Sequence, residues 1–422
     1  MKSTDHKFTV YISWIIIFIT IYGNSWIPGG PTIQRFEIYL ILLLTGIVFL
    51  VEFEFDSLNT FLKSGMLSYD NKYLVLLVVL FLISIFVYNL HEVSTFFGIV
   101  YNATFFCFVY LYFFKLPAIL LSSKELLRRF LLITSLTGFA IAFLGVFIFL
   151  TGTSPAKLYA VTTHSIIVHP NFVAYFYTIS IITSFYFYLN YKNNVTPIIR
   201  LFLKLSIFVQ LIAQLFTYGR GGYIGTIFGL GVLFAFYFRK KAILIFPLLV
   251  APLILIIPAF WKFKGGASYV SRSLLLLVAL DMISSSQTAL LWGYGSFDNM
   301  GVFIKYLTLY NLNTPGISDP HNTVLRLIMM FGLIFTTVLL IYFFKLCLRV
   351  FLLSYRSRDN DEKFFYGYLL SLVIGLSLMG LFDSGLVSTV FFYSEFLLIG
   401  SGLMYYKIQA NRKQSAKPIG IQ

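Results

Sequence analysis

From end to end the chain reads as apolar stretches divided by short charged or Gly/Pro-rich breaks, and marking those stretches predicts twelve spans. They cover residues 8–22, 36–51, 73–88, 96–114, 130–150, 171–189, 198–217, 222–238, 242–260, 323–344, 364–382 and 385–406. A hydrocarbon core roughly 30 Å thick needs about 20 mostly apolar residues per crossing helix, which these runs approach or meet. The fold class expected is therefore all-α: a polytopic transmembrane helical bundle of about twelve spans, with residues 1–422 forming a single integral membrane domain. The first run follows a short basic start, Lys2 and Lys7, and no small-residue cleavage site follows it, so it reads as a retained span.

Charge placement orients the bundle. With both termini on the inner side, 23 Lys and Arg residues fall inside, counting Arg200 and Lys204 in the first turns of the 198–217 span, and 7 outside, with Arg326 inside a span. Cytoplasmic loops accumulate Lys and Arg, so the expected topology has both termini in the cytoplasm. The net charge of +15 is scattered through short loops rather than gathered on a soluble domain, which points to anionic membrane lipids and topology and away from nucleic acid.

Composition agrees with the pattern. Hydrophobic residues make up 59% and charged residues 11% of the chain, against about 25% charged in a soluble domain. Cys107 and Cys347 lie far apart inside apolar runs, which argues against a disulfide or a zinc site. No cytoplasmic segment is long enough for a nucleotide-binding domain, so any activated donor must come from the membrane.

The longest interruption is 261–322, on the outer side, far beyond the roughly 12 to 15 residues at which an unstructured loop becomes unusual without a function. Within it, Tyr269 to Ser286 has an apolar core too short to span, flanked by Arg272, Asp281 and serines, and is expected to form a helix lying at the membrane interface. Four of the five histidines, His91, His164, His169 and His321, also fall on the outer side.

Two outer motifs combine residue types suited to an anionic substrate. Tyr218-Gly219-Arg220-Gly221-Gly222 places an arginine in a glycine-rich junction between two spans. Backbone N–H groups freed by glycine and the planar guanidinium fork both suit phosphate oxygens. The same residues also fit a tight interhelical turn whose arginine snorkels to a lipid headgroup. His321-Asn322 closes the long loop immediately before a span, with Arg326 on the same helix face as Asn322. A histidine there can serve as a base near neutral pH, although Asn322 can equally be a helix cap and His321 an interfacial side chain.

Other residues are more ambiguous. Ser271-Arg272 supplies a second loop cation, and Trp292-Gly293-Tyr294-Gly295 offers aromatic faces on which sugars stack, though interfacial aromatics are common for physical reasons alone. His169-Pro170-Asn171 opens a span in the manner of a helix start. Glu395, inside the last span, must be paired or face a cavity. The outer carboxylates Glu92, Asp281, Asp298, Asp319 and Asp383 form no tight pair at metal-ligand spacing, which favours chemistry without a metal.

Taken in order, the Gly-Arg-Gly-Gly junction, the long loop with Ser271-Arg272 and Gly293-Tyr294-Gly295, and His321-Asn322 before the next span resemble the bacterial O-antigen ligase and polysaccharide polymerase superfamily over residues 165–345. One departure is Tyr218-Gly219, where relatives often have Ser before Arg-Gly-Gly. The resemblance implies glycosyl transfer on the extracytoplasmic face of the plasma (inner) membrane, from a polyprenyl-diphosphate-linked oligosaccharide to a glycan or lipid acceptor. It implies no nucleotide or metal cofactor, and inversion at the anomeric carbon. Arg220 and Arg272 would grip the diphosphate, and His321 would orient or deprotonate the acceptor hydroxyl. Asn322, Arg326, His169 and Tyr294 would complete the substrate site. The flippase and the chain-length regulator of the same pathway are the protein partners implied, beside membrane lipids, with no nucleic acid.

The superfamily divides into polymerases, ligases that deliver glycan to lipid A core, and protein glycosylating relatives. A polymerase of O-antigen, capsule or exopolysaccharide units is the reading preferred here, because the long loop has no appended domain. A lipid-linked oligosaccharide flippase is the alternative of another class. It would place its polar residues near the midplane and commonly show internal repeats, whereas this chain gathers them at one face.

Overall fold

The computed structural model describes residues 3–23, 40, 43–44, 47, 69–89, 105–151, 170–192, 195–217, 219–239, 267–295, 299–312, 320–382 and 392–415. Among them there are helices and short connections and no strand. In chain order the helices are α1 (Ser3–Gly23), α2 (Tyr69–Asn89), α3 (Phe105–Ser122), α4 (Lys124–Thr151), α5 (Pro170–Tyr191), α6 (Pro197–Phe216) and α7 (Arg220–Phe238). Then come α8 (Ala267–Ser284), α9 (Gln287–Trp292), α10 (Asn299–Leu309), α11 (Thr323–Arg356), α12 (Asn360–Gly380) and α13 (Phe392–Ser415).

Seven of these, α3 to α7, α11 and α12, are long and apolar enough to cross a membrane, judged over the described residues. Helices α1 and α2 coincide with predicted spans and hold shorter apolar stretches, Phe8–Ile19 and Lys72–Ile83. Of the other predicted spans, 242–260 lies outside the described residues and 36–51 does so except at isolated positions. Charged residues predicted to end spans do not always end helices. Helix α3 continues through Lys115 to Ser122, and α11 passes Lys345 and Arg349 to reach Arg356. A Lys or Arg can keep its aliphatic stem on an apolar surface while its head reaches water, so the helix need not stop there.

Local chemistry marks where the helices begin. Thr196 caps α6 by accepting from the Ile199 N–H, and Pro197 sits in the first turn, where its missing N–H costs nothing. Asp359 caps α12, whose first turn also carries Asp361 and Glu362 against the positive end of the helix dipole. Within α3, residues Tyr110–Lys115 form a π-turn just ahead of Pro117. Pro117 cannot donate to the Phe113 carbonyl, and Gly402 of α13 packs against that oxygen, which a Cβ at 402 would approach to 2.1 Å.

The closest helix pair is α7 with α12. Gly225 and Gly229 face Gly375 and Ser371 so closely that a Cβ on Gly225 would lie 2.3 Å from Met379 Cγ. Ser371 donates a hydrogen bond to the Gly229 carbonyl. Helix α5 fills the other side of α7, where the Thr178 hydroxyl meets that of Thr226 at 2.7 Å and donates to the Gly222 carbonyl. Between lipid-embedded helices such close packing of small residues, aided by hydrogen bonds worth about 0.6 kcal/mol each, replaces the hydrophobic drive.

The long interruption contains three helices, α8, α9 and α10, rather than the single one predicted over 269–286. Leu275, Val278, Ala279, Met282 and Ile283 of α8 pack with Ala289, Tyr294, Phe303 and Leu307, and this small apolar core closes on Met329 of α11. The segment is thus a folded cap seated on the first turns of α11.

The seat depends on a break in α11. Gly332 lies at φ 79°, ψ 173°, outside helical space, which interrupts the hydrogen-bond ladder. The Met329 carbonyl instead accepts from Tyr294 N–H at 2.7 Å, and that of Met330 from Gly295 N–H at 3.0 Å. The backbones touch: a Cβ on Gly332 would fall 2.1 Å from the Leu291 oxygen, and one on Gly293, itself at φ 81°, 2.5 Å from the Met330 carbonyl. Only glycine satisfies both the positive φ and the contact.

Candidate functional site

The two motifs singled out in the sequence stand at the starts of two long helices. Gly219 is the N-cap of α7 in extended conformation, and Arg220 is the first helical residue. The turn ahead of it is pinned by Thr217, whose hydroxyl donates to the Gln214 carbonyl at 2.8 Å and accepts from Gly219 N–H at 3.2 Å. One turn later the Tyr223 hydroxyl reaches back to the Leu215 carbonyl. Arg220 is half-buried, and one of its terminal nitrogens is enclosed. A guanidinium at the positive end of a 19-residue helix makes this spot favourable for an anion.

The glycines also have a packing role, beside their first-turn amides, which have no acceptor within the helix. Gly221 and Gly222 lie inside the helix and have neighbours at contact distance: Tyr175 and Phe382 around Gly221, Ala174 and Gln214 around Gly222. Their smallness seats α7 against α5, α6 and the end of α12, which positions Arg220.

At the start of α11, Asn322 is the N-cap and accepts from Leu325 N–H at 3.0 Å. Its amide donates in turn to the Leu381 carbonyl at 3.1 Å, in the turn that ends α12. His321, just before it, holds φ 50°, the left-handed region that a non-glycine residue enters at a cost. Its ring is half-buried with Nδ1 enclosed. Arg326 lies one turn into α11 and is buried at 6% exposure. The buried guanidinium, one turn into the helix, adds positive potential to that of the helix start.

The Leu381–Phe382 turn links the two motifs. Leu381 receives the Asn322 amide, and Phe382 Cβ lies 3.4 Å from where a Cβ on Gly221 would be. Arg220-Gly221 and His321-Asn322, about a hundred residues apart in the chain, therefore flank one turn at the same end of α7, α11 and α12. Sequence reading missed this turn because Leu381 acts through its backbone carbonyl, which any residue supplies.

The remaining predicted residues divide. Arg272 falls on α8 of the cap, with its side chain outside the described residues, and His169 lies outside them altogether. Tyr294 is inside the joint between cap and α11: it is 9% exposed, and its hydroxyl lies 2.8 Å from both the Met282 carbonyl and Ser285 Oγ. Trp292 beside it is half-buried against the main core. At the outer edge of the cap Tyr310 donates to Asp281 at 3.1 Å, and that hydrogen bond holds its phenol above the usual range. Glu395 is fully buried in α13, and Tyr112 in the π-turn donates its hydroxyl proton to the Ser13 carbonyl at 3.0 Å. Among the described residues no three His, Cys, Asp or Glu side chains gather as metal ligands.

The geometry thus offers a cation at one helix start, an imidazole held in a strained turn at another with a second, buried cation one turn on, and a folded cap seated on that second helix. Comparison with curated proteins returns no match. Residues 205–344 match the family described as O-Antigen ligase, a region running from within α6 through Arg220, the cap and His321 into α11. That region, about a third of the chain, holds both motifs and the starts of α7 and α11, and over it the chain is similar to the O-antigen ligase family.

Proposed function

We propose that this protein is a membrane-embedded glycosyltransferase that polymerises polyprenyl-diphosphate-linked oligosaccharide units into a surface polysaccharide, at the extracytoplasmic face of a bacterial plasma membrane. The observation that supports the reading is the flanking of the Leu381–Phe382 turn by Arg220-Gly221 and His321-Asn322. A group that neutralises phosphate and a group that handles a hydroxyl proton are what this reaction needs at one place.

In this reading the donor enters sideways from the bilayer and its diphosphate lies against Arg220 at the start of α7, with Arg272 of the cap as a second cation. His321 accepts the proton of the acceptor hydroxyl as that oxygen attacks the anomeric carbon. The bond from the anomeric carbon to the diphosphate oxygen breaks, its electron pair leaves with the polyprenyl diphosphate, and Arg220 stabilises the charge that grows there. Asn322 holds the His321 turn to α12, and Arg326 adds positive potential behind it. His169 and Tyr294 complete the sugar-facing side in this proposal, Tyr294 through the cap joint it stabilises. Both termini then face the cytoplasm, and α8 rests at the outer interface.

A ligase that passes finished glycan to lipid A core uses the same donor chemistry, and the matched family description names ligase activity. The test is to supply the purified protein with a lipid-diphosphate-linked oligosaccharide and resolve products by length. A ladder of multiples supports the polymerase. A single block transferred only when lipid A core is added supports the ligase. Movement of the lipid across liposomes with no transfer overturns both in favour of a flippase.

A further inference from the structure

The opposite end of α11 carries a second set of cations that the proposed reaction does not use. Lys345 and Arg349 lie 22 and 26 residues beyond Thr323, so, following α11 through its break at Gly332, Lys345 sits at most roughly 33 Å from the His321 turn. That distance matches a hydrocarbon core about 30 Å thick, which puts these residues at the other membrane surface.

There, α2, α11 and α13 border a small open cleft lined by Tyr73, Tyr342, Lys345, Leu346, Arg349, Tyr405 and Ile408. Two cations and three tyrosines line it among the described residues. Lys345 is not directed away to open water as a snorkelling lysine would be. Its ammonium donates to the Tyr73 hydroxyl and lies 4.2 Å from that ring's centroid, which holds the charge at the cleft. Arg412 of α13 adds its field beside Tyr405. Tyr342 is 5% exposed, and its hydroxyl is buried with no hydrogen-bond partner among the described residues. A buried donor in that condition costs stability that a ligand oxygen would restore.

We propose that this cleft is a binding site for a phosphate group, that of an anionic lipid headgroup, on the membrane face opposite the Arg220–His321 site. Lys345 and Arg349 supply the charge, Tyr342 the buried donor, and the Tyr73 and Tyr405 rings the apolar walls. The acyl chains stay in the bilayer outside the α2–α11–α13 junction.

The test uses the full chain, stripped of lipid in detergent and titrated with phosphatidic acid, phosphatidylcholine or inorganic phosphate. Bound lipid is counted by native mass spectrometry, and thermal midpoints are followed in parallel. Phosphatidic acid should bind about tenfold more tightly than phosphatidylcholine, and Lys345→Gln or Arg349→Gln should each remove most of that preference. Tyr342→Phe separates ligand binding from folding. It should leave the lipid-free thermal midpoint unchanged or higher, since it deletes an unsatisfied hydroxyl, yet weaken phosphatidic acid binding several-fold. Stabilisation by inorganic phosphate, lost in the same variants, would support the phosphate site with a soluble ion as the source. Equal binding of the two lipids, or a preference unchanged in all three variants, would overturn the proposal.

Discussion

The side-chain amide of Asn322 donates to the main-chain carbonyl of Leu381 at 3.1 Å, while its oxygen caps α11 by accepting from Leu325 N–H. One residue thus sets the start of α11 and ties it to the end of α12, and His321 is the residue immediately before it. Asn322→Asp keeps the cap and replaces the donor by a second oxygen facing a carbonyl. The expected result is a thermal midpoint close to the parent's, with glycan transfer lowered at least tenfold. Asn322→Ala should lose the cap as well, at about 1 kcal/mol. Transfer by Asn322→Asp at the parent rate would show that the tie to Leu381 has no part in placing His321.

Gly332 and Gly293 meet at one joint, so their effects should not add. A Cβ at either position collides with the other segment's backbone and is strained by positive φ. Gly332→Ala and Gly293→Ala are each expected to cost about 1–3 kcal/mol from backbone strain alone, and the double variant less than the sum of the two. Limited proteolysis within 267–312 reads the consequence, since a cap that has left α11 is cut faster. Additive losses would mean that the two glycines act separately.

Tyr294→Phe keeps the ring and removes the hydroxyl that meets Met282 and Ser285. The expected loss is about 1 kcal/mol of stability, with the backbone bonds from Tyr294 and Gly295 to α11 retained. A variant of parental stability would show that the hydroxyl does not hold the cap.

Tyr310 carries a pH signature. Its phenol titrates above the ordinary value because it donates to Asp281. The hydrogen bond is therefore fully present below the unfolded phenol's pKa of about 10 and is lost as pH rises through the higher folded value. Absorbance at 295 nm, as the difference between the parent and Tyr310→Phe, isolates this one phenol. Asp281→Asn should move its titration to lower pH, and an unmoved curve would contradict the pairing.

Much of this site was legible because the features involved are carried by side-chain type. An arginine between two apolar runs and a His-Asn pair at the end of a long polar break both mark helix starts, and Asn322 caps α11 in the way its residue type suggests. Backbone relationships were not legible. Gly332 reads as one more small residue in an apolar span, because nothing in its neighbours shows that the cap's backbone will arrive there. Gly221 and Gly222 suggested anion-facing amides, and their close packing against α5 and α6 is a second role that sequence spacing alone does not show. The Trp292-Gly293-Tyr294-Gly295 turn drew attention through its aromatics, yet its amides are what bind α11. The cap divided into three helices because Ser286 caps a new helix at Gln287, a short start signal inside a stretch that reads as one apolar segment.

The account rests on Arg220 and His321 acting at one site on one donor. The most direct measurement is the rate at which the purified protein releases polyprenyl diphosphate from a lipid-linked oligosaccharide, for the parent, Arg220→Ala, His321→Ala and the double variant, each shown to be folded by its thermal midpoint. Each single variant should lose at least a hundredfold in rate, and the double variant little more than the worse single one, as expected when groups act as a unit. A folded Arg220→Ala or His321→Ala that releases polyprenyl diphosphate at the parent rate would contradict the assignment.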